Sequence, residues 1–133
     1  MGDLVKSEKS KIIELINRTG TGISTPQPYE RDIFLFDTYV AGTTHVENIH
    51  ELAEKLQIGD KLTFAREPNN EFDPQAIRIQ TMDNQKVGYV PRQDNVVFSR
   101  LMDAGKVLFA EIKDKEIRGK WLRLNIKIYL HEV

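Results

Sequence analysis

The chain has 133 residues, a net charge of −1 and no cysteine. That length fits one domain with its own hydrophobic core, and the lack of cysteine excludes disulfides and thiolate metal sites. No apolar run is long enough to predict a membrane-spanning helix, and residues 1–10 mix lysines with acids instead of forming the apolar stretch of a secretory signal. We therefore expect a cytoplasmic protein without a membrane partner.

The charges are distributed unevenly along the chain. Residues 30–85 carry 5 basic and 11 acidic side chains, whereas residues 86–133 carry 10 basic and 6 acidic ones, so the last third has +4 against −6 in the middle. A total charge near zero argues against a general polyanion binder. The basic last third is either ordinary surface variation or a local attraction for an anionic partner.

Residues 1–30 are predicted to form an N-terminal helical arm. The arm has apolar residues at Ile12, Ile13, Leu15 and Ile16, which is typical of a short amphipathic helix. A helix this short is marginal in isolation. It is therefore expected to pack on the rest of the chain or on a second copy, and the second case would make the protein a homodimer.

Residues 31–133 are predicted to form a mainly β (α+β) domain. Apolar residues at helical spacing predict helices at 48–57 and 94–103, the second with Val97, Phe98, Leu101 and Met102 facing the core. Alternating β-branched and aromatic residues predict six strands, at 33–41, 62–64, 77–79, 87–89, 107–113 and 121–130. Short strands with two brief helices favour a small, partly open β-barrel of the OB or SH3-like kind.

Four segments resemble the HIRAN domain family, and they occur in the family's order. They are Tyr-Val-Ala-Gly-Thr at 39–43, Gly-Asp at 59–60, Arg-Glu-Pro-Asn-Asn-Glu-Phe-Asp-Pro-Gln-Ala-Ile at 66–77 and Val-Gly-Tyr-Val-Pro-Arg at 87–92. The family includes stand-alone bacterial proteins and modules fused to DNA-repair and remodelling helicases. The resemblance implies an OB-like barrel that binds single-stranded DNA at its 3′ end, and it does not cover residues 1–30.

Phe72 and Asp73 lie in the most distinctive of these segments. The resemblance implies that Phe72 stacks on a terminal base and that Asp73 recognises the terminal hydroxyl. Stacking on an aromatic ring is independent of base identity, and an ionised carboxylate accepts hydrogen bonds from a hydroxyl but repels a phosphate. In the alternative interpretation, Phe72 plugs the end of the barrel and Asp73 forms an Asx turn before Pro74.

Four further candidates follow from the resemblance. Thr44 and His45 stand where the DNA-end binder of the family has arginine and tyrosine, so this chain departs from the family pattern there. Tyr89 and Arg92 match positions that face the same groove, and Arg92 lies at the N-terminal end of the second predicted helix, where backbone donors favour anions. Tyr89 could equally be a core residue with its hydroxyl at the rim.

The last predicted strand provides a candidate surface without reference to the family. Its outward positions are Trp121, Arg123, Asn125, Lys127 and Tyr129. Aromatic rings interleaved with cations are typical of single-strand binding surfaces. The alternative is a solvated outer face, or a sheet edge protected by its charges.

The sequence shows no motif of catalysis. The three histidines lack the spacing of metal ligands, and there is no phosphate-binding loop and no nucleophile elbow. We therefore predict no cofactor and no enzymatic activity. Three hypotheses remain, in decreasing order of support: capture of single-stranded DNA in repair or replication-fork processing, a protein-interaction or oligomerisation module, and an enzyme acting on nucleic-acid ends.

Overall fold

The computed structural model describes residues 31–119 and 121–132. These residues form six strands, two α-helices and one 3-10 turn. In chain order the elements are β1 (Arg31–Tyr39), the 3-10 turn (Thr43–His45), α1 (Ile49–Lys55), β2 (Lys61–Arg66), β3 (Ile77–Gln80), β4 (Lys86–Tyr89), α2 (Arg92–Asp103), β5 (Val107–Arg118) and β6 (Trp121–Glu132). The predicted order of strands and helices is confirmed.

The six strands form one antiparallel sheet in the order β1-β6-β5-β2-β3-β4. The two edge strands approach each other at one residue pair, where Ala41 and Tyr89 exchange backbone hydrogen bonds of 2.8 Å in each direction. We call these two residues the closing pair. Within the described residues the sheet is therefore a barrel that closes at one end of β1 and is open along the rest of that strand, which confirms the predicted partly open barrel.

The core lies inside this curved sheet, and β6 contributes more buried residues to it than any other strand. Leu122, Leu124, Ile126 and Ile128 are all buried, and the residues between them face outward. This alternation is what a strand with one face on a core requires. The helix α1 adds Ile49, Leu52 and Ala53 to the same core.

The inward face of α2 differs from the prediction. Phe98 is buried and Leu101 and Met102 pack against the core, but Val97 is 62% exposed. Asn95 and Ser99 are the buried residues instead. The prediction for Val97 was wrong because apolar periodicity cannot identify a buried polar residue, and Asn95 is buried because it has a hydrogen-bond partner.

Element bounds differ from the sequence predictions by a few residues in most places. The largest difference is in β5, which continues to Arg118 through an irregularity between Ile112 and Asp114. The predicted N-terminal arm, its helix and the homodimer that the helix suggested lie outside the described residues. The domain boundary at residue 31 stays a prediction.

Candidate functional site

The loop between β2 and β3 is shaped by short polar side chains. The side-chain oxygen of Asn70 accepts hydrogen bonds from the backbone N–H groups of Phe72 (2.9 Å) and Asp73 (3.1 Å). Asp73 then accepts from the backbone N–H of Gln75 at 2.9 Å, which is the Asx turn considered in the sequence analysis. Two successive turns of this kind leave the ring of Phe72 80% exposed, so Phe72 does not plug the barrel.

Both ends of this loop are fastened to neighbouring elements. Arg66 donates through Nε and Nη2 to the carboxylate of Asp103 at the end of α2, at 2.9 and 3.2 Å. Its remaining nitrogen, Nη1, donates to the carbonyl oxygen of Ala76 at 2.9 Å. A planar guanidinium can hold two groups at once in fixed geometry, so Arg66 ties the end of the loop to α2.

The start of α2 holds the tip of the loop. Asn95 donates to Oδ2 of Asp73 at 2.8 Å, and Nε of Arg92 lies 3.5 Å from the same oxygen. Arg92 also donates to the carbonyl oxygen of Phe72 at 2.6 Å. The hydrogen bond from Asn95 and the backbone N–H of Gln75, helped by the charge of Arg92, lower the pKa of Asp73 below its ordinary value. Asp73 is therefore ionised at neutral pH.

Tyr89 forms the opposite wall. Its hydroxyl donates to Oε1 of Glu67 at 2.9 Å, and Nζ of Lys86 lies 4.7 Å from the centre of its ring. Burial raises the pKa of Glu67, but hydrogen bonds from Asn70 and Tyr89 and the charge of Arg78 outweigh it, so that the pKa lies below its ordinary value. The ionised Glu67 therefore fixes the orientation of the tyrosine ring.

These walls enclose an open groove of about 700 Å³. We call it the end groove. It brings together five of the eight predicted site residues: His45, Phe72, Asp73, Tyr89 and Arg92. Lys86, Asn70 and Asn95 also line it and were missed. Lys86 could have been found from the sequence, because it directly precedes the predicted strand that contains the aromatic residue Tyr89. Asn95 could not, since no sequence pattern indicates that an asparagine in a helix is buried.

The other three predicted residues lie in a separate, smaller cleft. Thr44, Trp121 and Arg123 line a depression of about 160 Å³ together with Tyr39 and the turn at Gly42. We call it the tryptophan cleft. The eight residues therefore belong to two neighbouring depressions instead of one surface.

Residues 31–119 and 121–132 hold no group of three His, Cys, Asp or Glu side chains placed to bind a metal ion. None of their helices is both long and apolar enough to cross a membrane.

The fold agrees with the comparisons to known proteins. The family model of the HIRAN domain matches residues 33–133, and the chain therefore belongs to the HIRAN domain family. A crystal structure of a protein from Lactobacillus plantarum is similar, with a TM-score of 0.73, 25% identity, and coverage of 78% of this chain and 99% of that one.

Two structures of the HIRAN domain of human HLTF share the fold. The crystal structure has a TM-score of 0.60 at 13% identity and covers 76% of this chain and 79% of that one. The NMR structure, which is of the DNA-bound conformation, has a TM-score of 0.53 at 14% identity and covers 74% and 78%. A comparison with curated protein sequences gives no match.

The lowered pKa of Asp73 predicts a pH-dependent contribution to stability. A carboxyl with a lower pKa in the folded than in the unfolded state stabilises the fold above its ordinary pKa of 3.8, and this contribution is lost as pH falls through the folded-state pKa. Asp73→Asn should lower the free energy of unfolding by about 1–2 kcal/mol at pH 7, because a charge-assisted hydrogen bond is removed. The difference from wild type should shrink steadily below pH 3.8.

Urea denaturation at pH 7 and pH 3 measures this difference, with Glu71→Gln, an exposed change in the same loop, as the control. The control should differ from wild type by less than about 0.5 kcal/mol at both pH values. A difference between Asp73→Asn and wild type that is the same at both pH values would contradict the assignment.

Proposed function

We propose that this protein is a non-catalytic nucleic-acid-binding module that captures single-stranded DNA by its 3′ end. The observation that carries the proposal is the arrangement at the loop tip: a ring that is 80% exposed, Phe72, directly precedes a carboxylate held in place from three sides, Asp73. An exposed aromatic ring is a stacking platform for a base. The family membership and the DNA-bound conformation of the HLTF HIRAN domain support the coarser part of this proposal, the binding of nucleic acid.

Asp73 retains capacity for one more donor. An ionised carboxylate offers about four acceptor positions. Among residues 31–119 and 121–132, Oδ1 accepts from Gln75 alone, and Oδ2 faces Asn95 and Arg92. The free position on Oδ1 suits a hydroxyl group, whereas a terminal phosphate would bring further negative charge against the carboxylate. This favours a strand that ends at Asp73 over one that continues past it.

Cations beside the groove supply attraction for the rest of the strand. Arg92 has a side chain that is 73% exposed, and Lys86 lies over the ring of Tyr89. Phosphate contacts by such groups supply most of the sequence-independent affinity of nucleic-acid binders. Thr44 and His45 add no fixed charge, so we expect weaker binding than an arginine-tyrosine pair would give. The proposed context is DNA repair or replication-fork processing.

The test is fluorescence anisotropy with two dT oligonucleotides labelled at the 5′ end, one ending in a 3′ hydroxyl and the other in a 3′ phosphate. We expect the hydroxyl form to bind about tenfold more tightly or better, since like charges separated by roughly 4 Å at a protein surface repel by a few kcal/mol. Asp73→Asn should reduce this preference towards unity, while Glu71→Gln leaves it unchanged.

Measurements at two salt concentrations separate end capture from general strand binding. Equal affinity for both oligonucleotides would reduce the proposal to a non-specific strand binder. No binding of either at low salt would overturn it.

A further inference from the structure

Arg123 in the tryptophan cleft is a cation held between two aromatic rings. Its Cζ lies 4.9 Å from the ring centre of Tyr39 and 5.9 Å from that of Trp121. Its side-chain hydrogen bond goes to a neutral group, Oδ1 of Asn125, at 3.3 Å. Within residues 31–119 and 121–132 it makes no ion pair with a carboxylate. Among the described residues its charge therefore has no carboxylate at ion-pair distance, although Asp37 and Asp94 line a neighbouring depression of about 360 Å³ that Arg123 also borders.

The tryptophan cleft adjoins the end groove. Ala41 and Gly42 line both depressions, Thr44 lines the cleft, and His45 lines the groove. The backbone of Gly42 is left-handed, with φ of 76°, a conformation that glycine adopts without strain. The turn is therefore a low ridge between two depressions, and Gly42, the residue that precedes it, has no side chain to fill either one.

Other aromatic residues on the outer face of the sheet are arranged differently. Phe109 and Tyr129 stack on each other with ring centres 5.3 Å apart and planes within 10°, and Phe34 meets Tyr129 edge-on. These rings use their faces for one another. Trp121 stands at the end of β6, is 40% exposed, and has no ring stacked on it among the described residues. One guanidinium covers at most one face of Trp121, so a base can stack on the other face, whereas Phe109 already covers one face of Tyr129 and Phe34 lies beside it.

We propose that the tryptophan cleft is a second nucleotide subsite, which takes an upstream base on Trp121 and its phosphate on Arg123 while the 3′ end occupies the end groove. This inference rests on the proposed function, since it extends the same strand across the ridge at Gly42. Its consequence is that affinity depends on strand length, because a short oligonucleotide fills the end groove alone.

Trp121 is the single tryptophan of the chain, so its fluorescence reports occupancy of this cleft without a label. The experiment titrates the full chain with unlabelled d(T)3 and d(T)10, each with a 3′ hydroxyl, and measures binding in parallel by competition with a labelled strand. We expect d(T)10 to quench Trp121 and d(T)3 to bind without quenching.

Arg123→Gln provides the matched change in charge. The variant should bind d(T)10 more weakly than wild type does and should bind d(T)3 equally well. For d(T)10 the magnitude of the slope of log K against log salt should fall by about 0.7, which corresponds to the loss of one phosphate contact on a single strand. Arg100→Gln removes an exposed arginine of α2 that lines neither depression and should change neither value.

The outcomes distinguish this inference from the proposed function. The second subsite would be overturned if both oligonucleotides bound equally well, the fluorescence of Trp121 did not change, and Arg123→Gln had no effect. The proposal for the end groove would be unaffected by that result. Failure of both oligonucleotides to bind would overturn both proposals. Quenching by d(T)10 together with a reduced salt slope in Arg123→Gln would establish the second subsite.

Discussion

Gly88→Ala should destabilise the protein by about 3 kcal/mol, at the upper end of the usual cost of overpacking a core. A Cβ atom at Gly88 would lie 2.4 Å from the carbonyl oxygen of Ala41 and 2.5 Å from Cγ1 of Val40. The carbonyl belongs to the closing pair and accepts the backbone hydrogen bond of Tyr89. The extra methyl group therefore forces the edge strands apart at the place where the barrel closes.

Chemical denaturation of the variant measures this cost. Gly59→Ala is the control, since no atom lies within 4 Å of a Cβ there and the expected cost comes from its φ of 94° alone, about 1–2 kcal/mol. If Gly88→Ala lost no more stability than Gly59→Ala, the backbone at the closing pair could move aside at little cost in free energy. The destabilisation predicted from this steric clash would then be wrong.

Phe72→Ala should weaken binding of a 3′-hydroxyl dT oligonucleotide by about 5- to 150-fold, which corresponds to the roughly 1–3 kcal/mol of one base–aromatic stack. The free energy of unfolding should stay within about 0.5 kcal/mol of wild type, because the ring is exposed and changes at such positions are close to neutral. A large loss of affinity without a loss of stability is the signature of a contact made only with the ligand.

Two further variants separate stacking from general apolar contact. Phe72→Tyr should bind nearly as well as wild type, whereas Phe72→Leu should resemble Phe72→Ala. Val97→Ala removes a similarly exposed apolar side chain of α2 outside the end groove and should leave affinity unchanged. Full affinity in Phe72→Leu would contradict stacking and assign the ring a different role.

Most of the fold could be predicted from the sequence because its strands alternate cleanly. The run from Leu122 to Ile128 has an apolar residue at every second position, and this period of two can only bury one face of a strand. The extension of β5 to Arg118 could not be predicted, because the last residues of the strand are mostly charged. They belong to the sheet only because they pair with β6.

The conformation of the site loop could be predicted, because it depends on hydrogen bonds between neighbouring residues. Contacts between the loop and other elements depend on packing and could not be predicted. The Asx turns at Asn70 and Asp73 arise from neighbours in the chain, so the loop was identified from its residues. The contact between Asp73 and Asn95 joins residues 22 positions apart, and nothing in the helix pattern indicates it. The division of the site at Gly42 likewise depends on how β1 and β6 lie in three dimensions.

The position of β6 in the sheet has a consequence for how the chain is made. This strand is the last of the six in the sequence but lies between β1 and β5, and its register pairs Arg31 with Glu132, residues 101 positions apart. Pairings over such separations form slowly. Among the described strands only β6 pairs with β1 along its length, so on the ribosome β1 lacks this partner until β6 has emerged from the exit tunnel. The apolar surface that β6 covers in the folded sheet is exposed until then, so we expect the chain to be susceptible to aggregation before residue 132 is synthesised.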